Sequence, residues 1–96
     1  MGSIKWDWDP QKNLINQAKH GLSFELAVHV FNDPYYISGD DPHELDDRWR
    51  TIGRIGDTTV FVVHTAPTID ESGDEVGRII SARKATRSER LAYENA

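Results

Sequence analysis

The sequence predicts an α+β domain: a small antiparallel β-sheet in the order strand, helix, helix, strand, strand, strand, helix. Three observations predict it. Val60-Phe61-Val62-Val63 is a continuous apolar run of the kind found in a central strand covered on both faces. Trp6 and Trp8 alternate with Lys5 and Asp7, the period of a half-buried strand. Asp9-Pro10, Ser23 and the Thr86-x-x-Glu89 pair supply separate helix starts.

Taken in order, Ile4 to Trp8 is the first strand. Asp9 caps a helix whose first position is Pro10, and Gly21 sits where a left-handed C-terminal cap is wanted, so the helix runs to His20. Leu14, Ile15 and Ala18 are its expected buried stripe, with Lys19 and His20 in the last turn, where cations complement the helix dipole. Ser23 caps a second helix. Phe24, Ala27, Val28 and Phe31 follow its i, i+3, i+4, i+7 spacing, and His29 faces solvent.

Asn32-Asp33-Pro34 ends that helix, and a polar connection follows to Asp47. Its Asp40, Asp41, His43, Glu44, Asp46 and Asp47 lack the alternating ligands, central glycine and terminal glutamate of a calcium loop, so they read as solvated charge. Arg48 to Ile55 is a strand with Arg48, Arg50, Ile52 and Arg54 on one face. A turn at Gly56-Asp57 leads to the strand Thr58 to Thr65, whose His64 reads as a strand-edge histidine with a local partner. Pro67 to Gly77 reads as a mobile polar loop. Ile79, Ile80 and Ala82 form the last strand, closed by Arg83 and Lys84, and the Thr86–Glu89 capping box opens the last helix. The last three strands should form a meander, with the helices on one face and the other partly open.

A chain of 96 residues forms one domain, 1–96, without repeats or linkers. It has no cysteine, which removes thiolate nucleophiles and disulfides. No apolar run approaches the ~20 residues of a membrane span and no leader-like start is present, so a cytoplasmic protein with no membrane partner is expected. The net charge of −5 weighs against nucleic-acid binding, but its distribution is uneven. Acidic residues crowd two loops, while Arg78, Arg83, Lys84, Arg87 and Arg90 gather beyond them. Arg83 and Lys84 at a strand end, with Arg87 and Arg90 on the helix that follows, outline an anion site.

Cleavage of RNA by its own 2′-hydroxyl needs a base, a proton donor and cations around the pentavalent transition state, with no cofactor. Arg48, Arg83 and Lys84 can supply the charge, and His20 is the best proton shuttle by intrinsic pKa, with Glu89 and Tyr93 as alternatives. Glu89 is first of all half of the capping box. No zinc-ligand spacing and no phosphate-cradling glycine loop is present. The competing reading is a non-catalytic binding module that uses the same surface to hold a partner.

Trp6-Asp7, Asp9-Pro10-x-Lys12, Lys19-His20-Gly21-x-Ser23-Phe24-Glu25, Val30-Phe31-x-Asp33-Pro34, Asp47-Arg48, Thr51-Ile52-Gly53 and Ile79 to Thr86, with Glu89-Arg90 and Tyr93, occur in an order and spacing that resembles the BrnT family of type II toxins. The resemblance implies a RelE-like fold and a metal-independent endoribonuclease that arrests growth by blocking translation. It implies a ribbon-helix-helix antitoxin, BrnA-like, and contact with operator DNA only through the toxin–antitoxin complex. It points to Lys19, His20, Arg48, Arg83 and Tyr93 as catalytic positions. Lys12, Arg50, Lys84 and Arg87 are then RNA-binding, and Asp47 is a further candidate. Lys84 stands where the family commonly has arginine, which keeps the charge and loses the planar fork.

Overall fold

The computed structural model describes residues 4–40 and 48–96. Its elements are β1 (Lys5–Asp7), α1 (Pro10–His20), α2 (Phe24–Ala27), a 3-10 segment (Val28–Asn32), β2 (Ile37–Asp40), β3 (Arg48–Ile55), β4 (Thr58–Thr65), β5 (Thr68–Ile69), β6 (Glu75–Lys84) and α3 (Arg87–Glu94). The sheet has the order β1-β6-β4-β3-β2, and β5 pairs with β6. The metal reading of the acidic run falls largely on residues 41–47, outside the described residues, as does Asp47.

The expected meander is present: β3, β4 and β6 are antiparallel neighbours, with a register shift between Val63 and His64. The sheet as a whole is mixed, not antiparallel, because β1 runs parallel to β6 with Trp6 opposite Gly77. A parallel pair requires the chain to cross back over the sheet between the two strands. The segment after β1 does so, and α1 packs on β6.

Two strands form where loops were expected. β2 pairs antiparallel with β3, Ile37 opposite Ile52. Within the stretch read as a mobile polar loop, β5 and the start of β6 make a hairpin. Asp70 closes its turn by accepting from the amides of Ser72 at 2.9 Å and Asp74 at 3.0 Å. The second helix is also shorter than its periodicity suggests: after one α-turn it tightens into the 3-10 segment, which Asp33 ends.

Each sheet face carries a core. On one, Phe24, Ala27 and Val30 pack with Val60, Val62, Ile79 and Ala82, and Trp6, Trp8 and Phe31 close the rim. On the other, Ile52, Phe61 and Val63 pack with Ile37, Ile80 and Tyr93. The second face was expected to be partly open and free of helices; α3 covers part of it, with Tyr93 packed against Ile52, Phe61 and Val63.

α1 reverses its expected orientation. Leu14 and Ile15 are 66% and 63% exposed, whereas Asn13 and Asn16 are buried. Polar contacts cause this. Asn16 Nδ2 donates to the carbonyls of Leu22 and Ala82 at 2.9 and 2.8 Å, and its Oδ1 accepts from the Ala82 amide. Asn13 Oδ1 accepts from the Phe24 amide and its Nδ2 donates to Glu25. The two asparagines satisfy backbone groups that α2 and β6 would otherwise bury unpaired, which an aliphatic stripe cannot do.

Candidate nucleic-acid interface

Strand alternation decides where the cations go. Arg50 pairs across to Val63 and Arg83 to Phe61, so both lie on the α3 side of the sheet. Lys84, one residue on, lies on the α1 side, where it lines a cleft of about 180 Å³ with His20, Leu22 and Leu26. The strand end therefore splits its two cations between faces.

Nor do the remaining members of the expected anion site converge. Arg83 donates to both Glu89 oxygens, at 2.8 and 2.9 Å, and its guanidinium lies 4.3 Å from the centre of the Phe61 ring. Glu89 also accepts from the Thr86 amide at 2.8 Å, while Thr86 Oγ1 accepts from the Glu89 amide. The capping box thus fills the start of α3 with the protein's own carboxylate. The hydrogen bonds from Arg83 hold the Glu89 carboxyl below its ordinary pKa, and Glu89 in turn raises the guanidinium. Arg87 is exposed, and Arg90 approaches Glu94 at 4.0 Å.

A different group of cations does converge. Lys12 from α1, Arg48 from β3 and Arg78 from β6 line one cleft of about 480 Å³, with Asp9, Thr65 and Thr68 on its walls. Arg78 was not among the expected site residues, because the last strand was read from Ile79. Val76, the β-branched residue two positions upstream of Arg78, is the signal that would have extended it.

Lys12 and Lys19 lie seven positions apart on one side of α1, about 10 Å along its axis. His20 ends the helix beside Lys84. Lys12, Lys19, His20 and Lys84 thus follow α1 from one cleft to the other, with Arg48 and Arg78 joining Lys12 in the first. Arg50 belongs to a third cleft, of about 360 Å³, with Phe61, Ser88 and Glu89.

Tyr93 stands apart from these clefts. Its hydroxyl donates to Asp33 Oδ2 at 2.5 Å, and the same carboxylate accepts from the amides of Tyr35 and Arg54. Loss of solvent and the anionic acceptor push the phenol up to about 12, so it stays protonated at neutral pH. Burial raises the Asp33 carboxyl, but the Tyr93 hydroxyl and the two amides outweigh it and leave the pKa lowered. One carboxylate therefore joins the 3-10 segment, β3 and α3.

His64 is more deeply placed than a strand-edge histidine, at 3% exposure under the rings of Trp6 and Phe31. Its Nδ1 lies 2.8 Å from the Thr65 carbonyl, which can only accept, so Nδ1 carries the proton. Nε2 then accepts from Thr51 Oγ1 at 2.7 Å, and Thr51 accepts from Ser38 at 2.6 Å. Burial lowers the imidazole pKa against the opposing pull of that carbonyl, and this histidine has a structural role.

Among the described residues, no group of histidine, aspartate and glutamate is arranged to hold a metal ion. No helix of the described residues is long and apolar enough to cross a membrane. No curated protein matches the chain. The family described as the ribonuclease toxin BrnT of type II toxin-antitoxin systems matches residues 8–89, a span that takes in α1, both clefts along it and the Arg83–Glu89 pair. With that match over most of its length, the chain belongs to the BrnT family of ribonuclease toxins.

Proposed function

We propose that this chain is a metal-independent endoribonuclease that cuts RNA by attack of the 2′-hydroxyl on the adjacent phosphate. The observation that carries the reading is the meeting of Lys12, Arg48 and Arg78 in one cleft, within a family of ribonuclease toxins. These cations would anchor the phosphates of the bound strand. An RNA strand leaving this cleft along α1 meets Lys19, then His20 and Lys84. His20 is the proton shuttle of this reading, and the scissile phosphate would lie beside it, where the charges of Lys19 and Lys84 stabilise the transition state. Arg83 and Tyr93, with Arg50 and Arg87, make a second set on the α3 side, where Arg83 would touch RNA while it remains tied to Glu89.

The same reading gives the chain a RelE-like fold, translation arrest in the cytoplasm, and neutralisation by a ribbon-helix-helix antitoxin that carries the complex to operator DNA. The type II family supports an antitoxin partner and an RNA target. The alternative, a binding module without turnover, is favoured by one observation: His20 and Arg48 line different clefts.

Incubation of purified cellular RNA with the protein in excess EDTA separates the two. Cleavage should persist in chelator and fall by roughly tenfold or more in Lys12→Ala and Arg48→Ala. RNA left intact by the wild-type protein, with and without ribosomes, would leave the binding module.

A further inference from the structure

We propose that the outward face of α1, formed by Leu14, Ile15 and Ala18, seats a helix of the antitoxin whose apolar side chains are bordered by Asp or Glu. The proposal rests on the toxin reading and names where its partner docks.

The first ground is inverted amphipathicity. A surface helix ordinarily turns its apolar stripe to the core. In α1 the buried positions are Asn13 and Asn16, while Leu14 and Ile15 stand in water and Ala18 is exposed beside them. The buried asparagines are fully engaged with Leu22, Phe24, Glu25 and Ala82, so rotation of the helix to bury Leu14 would break these bonds. The apolar face is thus fixed outward and available to a second molecule.

The second ground is charge. Within a chain of net charge −5, α1 contains no Asp or Glu. Lys12 and Lys19 stand three residues before and four after Ile15, the positions that neighbour it on a helix surface. Neither lysine has an ion-pair partner among the described residues. An apolar strip with cations along one border suits an amphipathic helix with carboxylates along its edge. A second copy of this chain fits less well, since two-fold packing of α1 on α1 sets lysines against lysines. RNA gains nothing from Leu14 or Ile15.

Neutralisation follows from the overlap. Lys12 borders the apolar face and also lines the cleft with Arg48 and Arg78. A carboxylate brought to Lys12 by the docked helix would occupy a cation that RNA needs.

The test uses the purified cognate antitoxin, titrated against wild-type protein, Leu14→Gln with Ile15→Gln, and Tyr35→Ala. Tyr35, 76% exposed and held by Asp33 just after the 3-10 segment, serves as the control. The double variant should bind antitoxin at least about tenfold more weakly while Tyr35→Ala binds as wild type. Unchanged far-ultraviolet circular dichroism and sedimentation would show that the double variant still folds. Its RNA cleavage should remain and should no longer be suppressed by antitoxin. Binding equal to wild type in the double variant would overturn the proposal. So would a wild-type chain that sediments alone as a dimer and is split by the double substitution. If no protein cleaves RNA, the nuclease reading fails, and the binding comparison still decides the docking site.

Discussion

Asn16 and Ala82, 66 positions apart, hold each other through opposed hydrogen bonds: the side-chain amide donates to the Ala82 carbonyl at 2.8 Å while its oxygen accepts from the Ala82 amide at 3.2 Å. Asn16 thereby acts as a length of strand, completing the edge of β6 from a helix. Asn16→Ala should lower unfolding free energy by about 3 kcal/mol, since the Leu22 carbonyl also loses its donor. Asn16→Leu should cost as much despite its apolar bulk, and urea denaturation measures both.

Glu89→Gln should weaken the bond to Arg83 while it keeps much of the helix cap. The folded carboxyl is held below its ordinary value of 4.5, so its contribution is full above that pH and is lost as the pH falls through the lower folded pKa. Thermal melts of the wild type should therefore fall on the acid side of 4.5, and the glutamine variant should show a shallower fall there.

His64 titrates with the opposite chemistry and the same sign. Its folded pKa lies below the ordinary 6.5, so the native state is most favoured above that value. Stability should decline as pH drops below 6.5, where the unfolded chain takes up a proton the buried ring refuses. His64→Gln should remove this limb, at a lower stability throughout because of lost packing under Trp6 and Phe31.

Tyr93→Phe should cost about 1 kcal/mol, the worth of one hydrogen bond to a partly exposed carboxylate. Spectrophotometric titration should lose one tyrosine ionising at about 12. RNA cleavage by this variant sorts its roles: unchanged turnover assigns Tyr93 to fastening α3, and a loss far beyond the change in folded fraction assigns it to the reaction.

Gly77→Ala should destabilise by about 1–3 kcal/mol, because a Cβ at that position would overlap the Trp6 ring packed across β6. Trp6→Phe should relieve part of the clash. A double-mutant cycle in denaturant measures the coupling.

The helix starts were legible because caps are local: Asp9 and Pro10, Ser23, and Thr86 with Glu89 each act within three residues of themselves. The strands Arg48–Ile55 and Thr58–Thr65 were legible for a similar reason, since their apolar runs are bounded by turn residues. β2 was hidden because Ile37-Ser38-Gly39-Asp40 has little intrinsic strand preference and forms through pairing with β3. The direction of β1 depends on a partner more than seventy positions away. The orientation of α1 misled because a hydrophobic stripe looks the same whether it meets a core or another protein, and the deciding contacts of Asn13 and Asn16 are tertiary.

The candidate site was legible by residue type more than by grouping. Lys12, Lys19, His20 and Arg48 fall along α1 and its clefts, whereas Arg83 and Lys84, adjacent in sequence, end on opposite faces. Arg83 is engaged by Glu89, a pairing that the capping-box spacing alone did not disclose.

The parallel contact of β1 with β6 also bears on synthesis. During translation β1 emerges early and has no partner in its sheet until Glu75 to Lys84 has left the ribosome. Long-range pairing of this kind raises contact order and delays completion of the sheet. A nascent copy of this toxin therefore spends most of its elongation without Arg78 beside Lys12 and Arg48, and the cleft that these three cations line first exists when the last strand has been made.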